Sequence, residues 1–106
     1  MRRAAKVDTN HRDIVRALES CGVRVQSLAA VGNGCPDLLV GLRGKFTMLE
    51  IKDGSRVPSQ QRLGAQQVDW HQRWLGFPVY VVRNEQEALA SLGITSVSPK
   101  EYNAKT

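Results

Sequence analysis

The chain has 106 residues and a formal net charge of +5, with 15 Lys and Arg against 10 Asp and Glu. This length predicts one domain over residues 1–106, with a core from about residue 9 to 92 between polar termini, large enough to fold without disulfides. Cys21 and Cys35 lack the spacing of a zinc site or a disulfide framework, so a cytoplasmic protein with reduced thiols is expected. No apolar run could span a bilayer and the first residues are too polar for a secretory signal, so no membrane partner is expected.

The first predicted element is a helix that is capped by Asp8 or Thr9 and ends at Gly22. Its apolar stripe, at helical spacing, consists of Ile14, Leu18 and Cys21. His11 lies on this stripe in the first turn. It can be interpreted as a core-edge histidine bonded to a backbone carbonyl or as a metal ligand, and the residues leave both open.

A β-hairpin dominates the middle of the sequence. Residues 23–28 alternate between apolar and polar and predict an edge strand, and Gly32-Asn33-Gly34 then turns the chain. Two apolar runs, 38–42 and 46–51, flank Arg43-Gly44, where the glycine suits a tight turn. A turn at that position fixes the register and places Asp37 directly opposite Glu50, on the same face as Lys52.

Two opposed carboxylates are the strongest chemical signal in the sequence. Like charges directly across an antiparallel pair are destabilising unless a cation compensates them. Carboxylate oxygens at that separation suit Mg²⁺ or Mn²⁺, so Asp37 and Glu50 are predicted metal ligands. The alternative is a solvated hairpin end, with Lys52 as an ordinary ion-pair partner.

The second half of the chain predicts a loop, a helix, a strand and a last helix. The loop covers residues 53–59, and the helix runs from Ala65 to Leu75, with Gly64 as N-cap and Gln67 at the third helical position. Trp70 and Trp74 are interpreted as the buried side of this helix, not as base-stacking platforms. Residues 77–82 predict a buried strand, and residues 84–92 predict the last helix. The order is α-β-β-β-α-β-α, and because both hairpin faces are apolar, an α/β fold is expected, with a mixed sheet flanked by helices on each side.

Pro36-Asp37 followed by Glu50-Ile51-Lys52 resembles the motif of the PD-(D/E)xK nuclease superfamily. Within it, the chain is most similar to the small stand-alone VRR-Nuc (virus-type replication-repair nuclease) domains of phage and prophage. The resemblance extends over roughly residues 10–89 through the glycine two residues before Pro36, the Gln67-x-x-Trp70 helix and the strand that begins at Gly76. It implies a restriction-endonuclease-like core.

The resemblance also implies an activity, namely hydrolysis of DNA to leave a 5′-phosphate. Asp37, Glu50 and the backbone carbonyl of Ile51 would hold Mg²⁺ or Mn²⁺, while Lys52 and Gln67 would be the further catalytic residues, without a small-molecule cofactor. In the family, an acidic residue in the first turn of the first helix often completes the metal site. Here Asn10-His11 occupies that place, with Asp8 and Asp13 as the nearest acids, and which of the four takes the role stays open.

The expected partner is DNA. Basic residues are in excess in 1–16 and 43–62, on both sides of the predicted carboxylate site. A single site cannot cut two strands together, so the resemblance predicts a homodimer that nicks branched DNA such as four-way (Holliday) junctions. The alternative function is a catalytically weak or inactive nuclease-fold module that only binds DNA, and a protein-interaction module is a third class.

Overall fold

The structure, a computed structural model, describes residues 10–94. In chain order its elements are α1 (His11–Ser20), β1 (Arg24–Ser27), β2 (Leu38–Leu42), β3 (Lys45–Ile51), α2 (Pro58–Gln61), α3 (Ala65–Arg73), β4 (Val79–Val82) and α4 (Glu85–Ser91). The predicted order is confirmed, except that the sequence analysis did not predict the short helix α2, which begins at the end of the predicted loop and extends two residues beyond it. The predicted caps Asp8 and Thr9 and the polar tail lie outside the described residues. Within residues 10–94, no helix is long and apolar enough to cross a membrane.

The four strands form one mixed sheet in the order β1-β2-β3-β4. The first three strands are antiparallel neighbours, and β4 pairs with β3 in parallel. A parallel pair requires a crossover connection between its strands. Here α2 and α3 lie in that crossover, and this arrangement brings α3 back over the face of β3 that carries Glu50.

The hairpin of β2 and β3 has the predicted register. Leu42 pairs with Lys45 and Leu38 pairs with Leu49. Arg43 and Gly44 have φ angles of 52° and 80°, which is the pair of positive values that a type I′ turn requires. This turn is compatible with the right-handed twist of its strands, so the register that opposes Asp37 and Glu50 follows from two turn residues.

The main core lies on one face of the sheet. Alternate residues of β2 and β3 point into it and are almost fully buried, and they pack against α1 and α4. The largest members of this core are Ile14, Leu18, Leu38, Val40, Leu49 and Ile51. Since α3 covers part of the other face, helices lie on both sides of a mixed sheet and the expected α/β fold class is confirmed.

Three expectations about elements were wrong in detail. Trp70 is buried as predicted, and Trp74 stacks on it, but Trp74 is 40% exposed because it lines an open groove beside β3. The strand β4 is an edge strand and not a buried one, and among its residues only Val82 is buried. The helix α1 begins at His11 with Asn10 in the N-cap position, later than predicted.

Candidate active site

The strand pairing brings two carboxylates to one edge of the sheet. Asp37 directly precedes β2, and since Leu38 pairs with Leu49, the next residues outward are Asp37 and Glu50. Asp37 Oδ2 accepts a hydrogen bond of 2.7 Å from the backbone N–H of Ile51. Its backbone carbonyl accepts another, of 2.7 Å, from Leu28. Asp37 is therefore fixed by its neighbours on both sides.

Glu50 is the most deeply buried charged residue among those described, with 2% of its surface exposed. Its Oε2 accepts a hydrogen bond of 2.9 Å from Gln67 Nε2. A buried carboxylate costs several kcal/mol unless it is paired and hydrogen-bonded. The hydrogen bond from Gln67 therefore offsets part of the cost of burying Glu50.

Gln67 connects the groups of the site. Its Nε2 donates to Glu50, and its Oε1 accepts from the backbone N–H of Gly64 at 2.8 Å and from Lys52 Nζ at 3.2 Å. The sequence offered two interpretations of Gln67, a capping residue and a residue near the active site. The structure contains both arrangements, since the same side chain caps α3 and contacts Glu50 and Lys52.

The loop before Asp37 packs directly on the N-terminus of α3. Gly34 has a φ of +83°, and a Cβ at this position would overlap the backbone carbonyl of Gln66. Only glycine fits both the backbone angle and the close approach. This contact sets the distance between the loop that carries Asp37 and the helix that carries Gln67.

A cavity of about 460 Å³ opens between this loop and α3, and Asp37 and Gln67 both line it. The hydrogen bond from Ile51 is accepted by Asp37 Oδ2, and Asp37 Oδ1 accepts none within the described part of the chain. One carboxylate oxygen is thus held in place by Ile51, while the other remains available to a ligand.

Asn10 joins α1 to the end of the sheet. Its side-chain amide donates to the backbone carbonyls of Lys52, at 3.2 Å, and Arg83, at 2.7 Å. These carbonyls follow the ends of β3 and β4. Asn10 Oδ1 is buried and has no hydrogen-bond partner within residues 10–94.

The other candidates for completing the site are arranged differently. His11 Nδ1 is also buried without a partner in the described range, so the hydrogen bond to a backbone carbonyl that one interpretation required is not made by this atom. Asp13 is exposed on α1, and Asp8 lies outside the described residues. Within residues 10–94, no three His, Cys, Asp or Glu side chains converge as a metal cluster. The side-chain donors in place are therefore those of Asp37 and Glu50.

Two groups near the site were not anticipated from the sequence. Burial, reinforced by the charges of Glu50 and Asp37, raises the pKa of the Cys35 thiol. Burial and the nearby Lys52 ammonium lower the pKa of His71. His71 lies one helical turn after Gln67, so the spacing of four residues could have placed it on the same face.

The fold and the site indicate a class of protein. A mixed four-stranded sheet flanked by helices is consistent with a nuclease-like α/β fold. Among solved structures, the chain is similar to one named "VRR_NUC domain", with a TM-score of 0.58 and 28% identity over 82% of this chain and 97% of that chain. This similarity supports the resemblance to VRR-Nuc domains and a nuclease class for the chain. No protein-family model and no curated protein matches the sequence.

Proposed function

We propose that the chain is a Mg²⁺- or Mn²⁺-dependent DNA endonuclease. The observation that carries the proposal is the opposition of Asp37 and Glu50 at one sheet edge, with Lys52 tied to the same place through Gln67. A module that only binds DNA gains nothing from two carboxylates at the position where a phosphate must lie. The similarity to a VRR_NUC domain supports the same class of activity.

The residues present fit a small divalent cation. Hard carboxylate oxygens are the ligands that Mg²⁺ and Mn²⁺ prefer, and Mg²⁺ usually takes one or two of them from the protein. Asp37, with its available Oδ1, and Glu50 would hold the ion, with the Ile51 carbonyl as a further ligand. When bound, the ion supplies Lewis-acid activation of water and stabilises charge on the scissile phosphate.

The protein's own groups prepare the site. Gln67 fixes Glu50 by donating to it and holds the Lys52 ammonium through its Oε1. Lys52 would orient the attacking water and stabilise the negative charge that grows on the phosphate, which is worth most in a partly buried site. Exposed Arg83 follows β4 next to Lys52 and would contact the DNA backbone.

The substrate we infer is branched DNA, cut by a homodimer. Residues 10–94 of one copy contain one such pair of opposed carboxylates, whereas symmetric cutting of a four-way junction requires two sites in one encounter. A two-fold dimer provides these two sites in equivalent positions. The net charge of +5 per chain favours binding of a polyanion by the monomer and by the dimer.

A second function is favoured by one observation. Asn10 stands where the family often has an acid, and its amide binds backbone carbonyls of Lys52 and Arg83. A site without that acid would be weaker, so a catalytically poor module that binds DNA is the alternative. The two functions differ in whether cleavage follows binding.

The decisive experiment uses Asp37→Asn and Glu50→Gln, which remove a charge and nearly preserve shape. We expect cleavage of DNA in Mg²⁺ or Mn²⁺ to fall by at least about 10²-fold, since each variant removes a charged ligand. Binding should persist, because each variant removes a negative charge that repels phosphate. Asp69→Asn is the matched control, since Asp69 is an exposed carboxylate on α3 that pairs with Arg73 at 3.1 Å.

Two results would contradict the proposal. Undiminished cleavage by either site variant would remove Asp37 and Glu50 from the mechanism. Binding of four-way junctions without cleavage by the wild type, in either metal, would favour the binding module. A rise in Tm with Mg²⁺ that Asp37→Asn abolishes and Asp69→Asn keeps would locate the metal independently of activity.

A further inference from the structure

A second cavity lies on the β4 side of the carboxylate site. Its volume is about 450 Å³. We call it the arginine cavity, and its lining consists of Pro58, Gln61, Arg62, Leu63, Val81 and Arg83. Among the described residues, this lining contains two exposed arginines and no acidic side chain. The cavity is therefore electropositive and open to solvent, which suits an anionic ligand.

The strand register places this cavity directly beside the carboxylate site. Val81 pairs with Glu50 across the parallel strands β3 and β4, and neighbouring strands lie about 4.8 Å apart. Arg83 is two residues beyond Val81, as Lys52 is beyond Glu50, so all four side chains lie on the same face of the sheet. The backbone N–H of Lys52 donates to the Val82 carbonyl at 2.9 Å, which extends this register to Lys52 and Arg83. The arginine cavity is thus about one strand spacing from the residues that would hold the metal.

Arg83 is held in place although its side chain is 42% exposed. Its Nε donates to Gln61 Oε1 at 2.9 Å, its Nη1 lies 3.7 Å from Glu87 Oε1, and its backbone N–H donates to the same Glu87 oxygen at 2.9 Å. The backbone carbonyl of Arg83 accepts from Asn10 Nδ2 at 2.7 Å. Because this side chain is already ordered, a ligand would lose less conformational entropy on binding it than on binding a free surface arginine.

Gln61 orients this guanidinium. Its Oε1 accepts from Arg83, while its Nε2 donates to the backbone carbonyls of Arg56, at 2.6 Å, and Gly54, at 3.4 Å. Gly54 also packs against Arg83, where an added Cβ would come within 3.2 Å of the Arg83 Cβ. The segment from Gly54 to Gln61 therefore supports Arg83 in its position beside Lys52.

The guanidinium of Arg83 keeps donors for a ligand. It has five N–H donors, and among the described residues Gln61 and Glu87 engage only Nε and Nη1. The ion pair with Glu87 is weak, because its side chains are 42% and 44% exposed and solvent screens them. Arg62 lines the same cavity and makes no ion pair within residues 10–94. Two guanidinium groups around one cavity suit the oxygens of a phosphate, which accept paired hydrogen bonds.

We propose that the arginine cavity binds the DNA phosphate beside the one that is cut, with Arg83 and Arg62 as its donors and Gln61 as a positioning residue. The inference rests on the proposed nuclease function, since it takes the cut to lie at Asp37 and Glu50. Successive phosphates of one strand rise by about 3.4 Å along the duplex axis. An offset of one strand spacing, about 4.8 Å, therefore corresponds to a phosphate about one or two nucleotides from the cut. Holding this phosphate would fix the strand and so orient the scissile phosphate in the site.

Binding in EDTA tests the cavity without cleavage. A labelled duplex and a labelled four-way junction are followed by fluorescence anisotropy over a range of NaCl concentrations. Arg83→Ala should weaken binding by at least about 10-fold and reduce the slope of log K against log salt by about 0.9, the value for one lost phosphate contact. Arg73→Ala is the matched control, since Arg73 is an exposed arginine on α3 that pairs with Asp69 at 3.1 Å, outside the cavity lining. Equal losses in the two variants would overturn the proposal.

Two further variants test the role of Gln61. Arg83→Lys keeps the charge but lacks the guanidinium fork, so binding should weaken while the salt slope stays at the wild-type value. Gln61→Ala should weaken binding in the wild type but cause no further loss in Arg83→Ala, because the two side chains act as one unit. Additive losses would exclude the positioning role. The backbone contacts of Arg83 do not involve its side chain, so its variants should melt within a few degrees of the wild type. If Arg83→Ala fails to fold, Arg62→Ala repeats the salt measurement.

Cleavage of modified DNA locates the phosphate. Once the wild-type cut is mapped in Mg²⁺ or Mn²⁺, uncharged methylphosphonate linkages replace single phosphates on either side of it. One linkage should lower kcat/KM of the wild type by at least about 10-fold, whereas Arg83→Ala should be insensitive to the same linkage. Equal sensitivity of the two proteins at every position would overturn the proposal.

The two assays separate this inference from the proposed function. If no protein cuts DNA but Arg83→Ala still lowers the salt slope, the cavity stands as a phosphate site and the nuclease proposal fails. If the wild type cuts DNA while Arg83→Ala binds and cuts like Arg73→Ala, the nuclease proposal stands and the phosphate site is excluded.

Discussion

Gln67→Ala is the substitution whose effect can be worked out most fully. It removes the donor to buried Glu50, the acceptor for Lys52 and the cap on the Gly64 N–H. A hydrogen bond to a charged group contributes about 1.5–3 kcal/mol, and a helix cap contributes about 1 kcal/mol. With the lower value for each of the two bonds to charged groups, the free energy of unfolding should therefore fall by about 4 kcal/mol. This lowers Tm by roughly 16 °C at about 4 °C per kcal/mol for a domain near 100 residues.

The assay is thermal unfolding followed by circular dichroism, with Gln72→Ala as the control because Gln72 is an exposed glutamine on the same helix. Gln67→Glu provides a test of sign, since it sets a second carboxylate against Glu50. It should be less stable than Gln67→Ala at neutral pH and recover as the pH falls and a carboxylate is protonated. If the free energies of unfolding of Gln67→Ala and Gln72→Ala differ by less than about 1 kcal/mol, the inference that Gln67 stabilises buried Glu50 is refuted.

Three further predictions concern the surroundings of the site. Gly34→Ala should lower the free energy of unfolding by well over the roughly 1 kcal/mol that a positive φ costs an alanine. Gly32→Ala is the control, since Gly32 has a φ of +77° with open space around it and should lose only about that 1 kcal/mol. Equal losses of the two variants in urea unfolding would contradict the close approach of Gly34 to Gln66. Asn10→Ala should cost about 2 kcal/mol for two hydrogen bonds and reduce metal-dependent cleavage beyond the loss of folded protein, with kcat and metal titrations separating the two effects. Because the pKa of His71 is lowered in the folded state, the neutral imidazole contributes stability that is fully present above the ordinary pKa of 6.5 and is lost as the pH falls through the lowered pKa. Lys52→Met should raise the pKa of His71 part of the way toward its ordinary value in an NMR titration. An unchanged pKa would exclude an effect of the Lys52 charge.

The sequence predicted best where local chemistry determines the structure. Arg43 and Gly44 specify a two-residue turn, and that turn alone places Asp37 opposite Glu50 in the observed register. The cap on α3 also followed from its local pattern, with Gly64 before the helix and Gln67 three residues later. These elements depend on neighbours a few residues away, which the sequence contains directly.

The errors arose where the outcome depends on distant parts of the chain. Helical spacing correctly placed Trp74 on the same side as Trp70, but it could not show that no other element within residues 10–94 covers Trp74. The apolar run at residues 77–82 predicts a buried strand, because the hydrophobic pattern does not show that the strand lies at the edge of the sheet. The amide of Asn10 reaches carbonyls after β3 and β4, separated from it by 42 and 73 residues, and no local motif encodes such contacts.

The parallel pairing of β3 with β4 has a consequence for the order of folding. The hairpin that opposes Asp37 and Glu50 closes over a two-residue turn, whereas Gln67 arrives only when the crossover through α2 and α3 has closed. Local hairpins form in microseconds and non-local pairing is slower. The carboxylates of Asp37 and Glu50 therefore repel each other in the hairpin before the amide of Gln67 can donate to Glu50. Refolding should therefore speed up when these carboxylates are neutralised early, by mild acid or by a divalent cation present from the start.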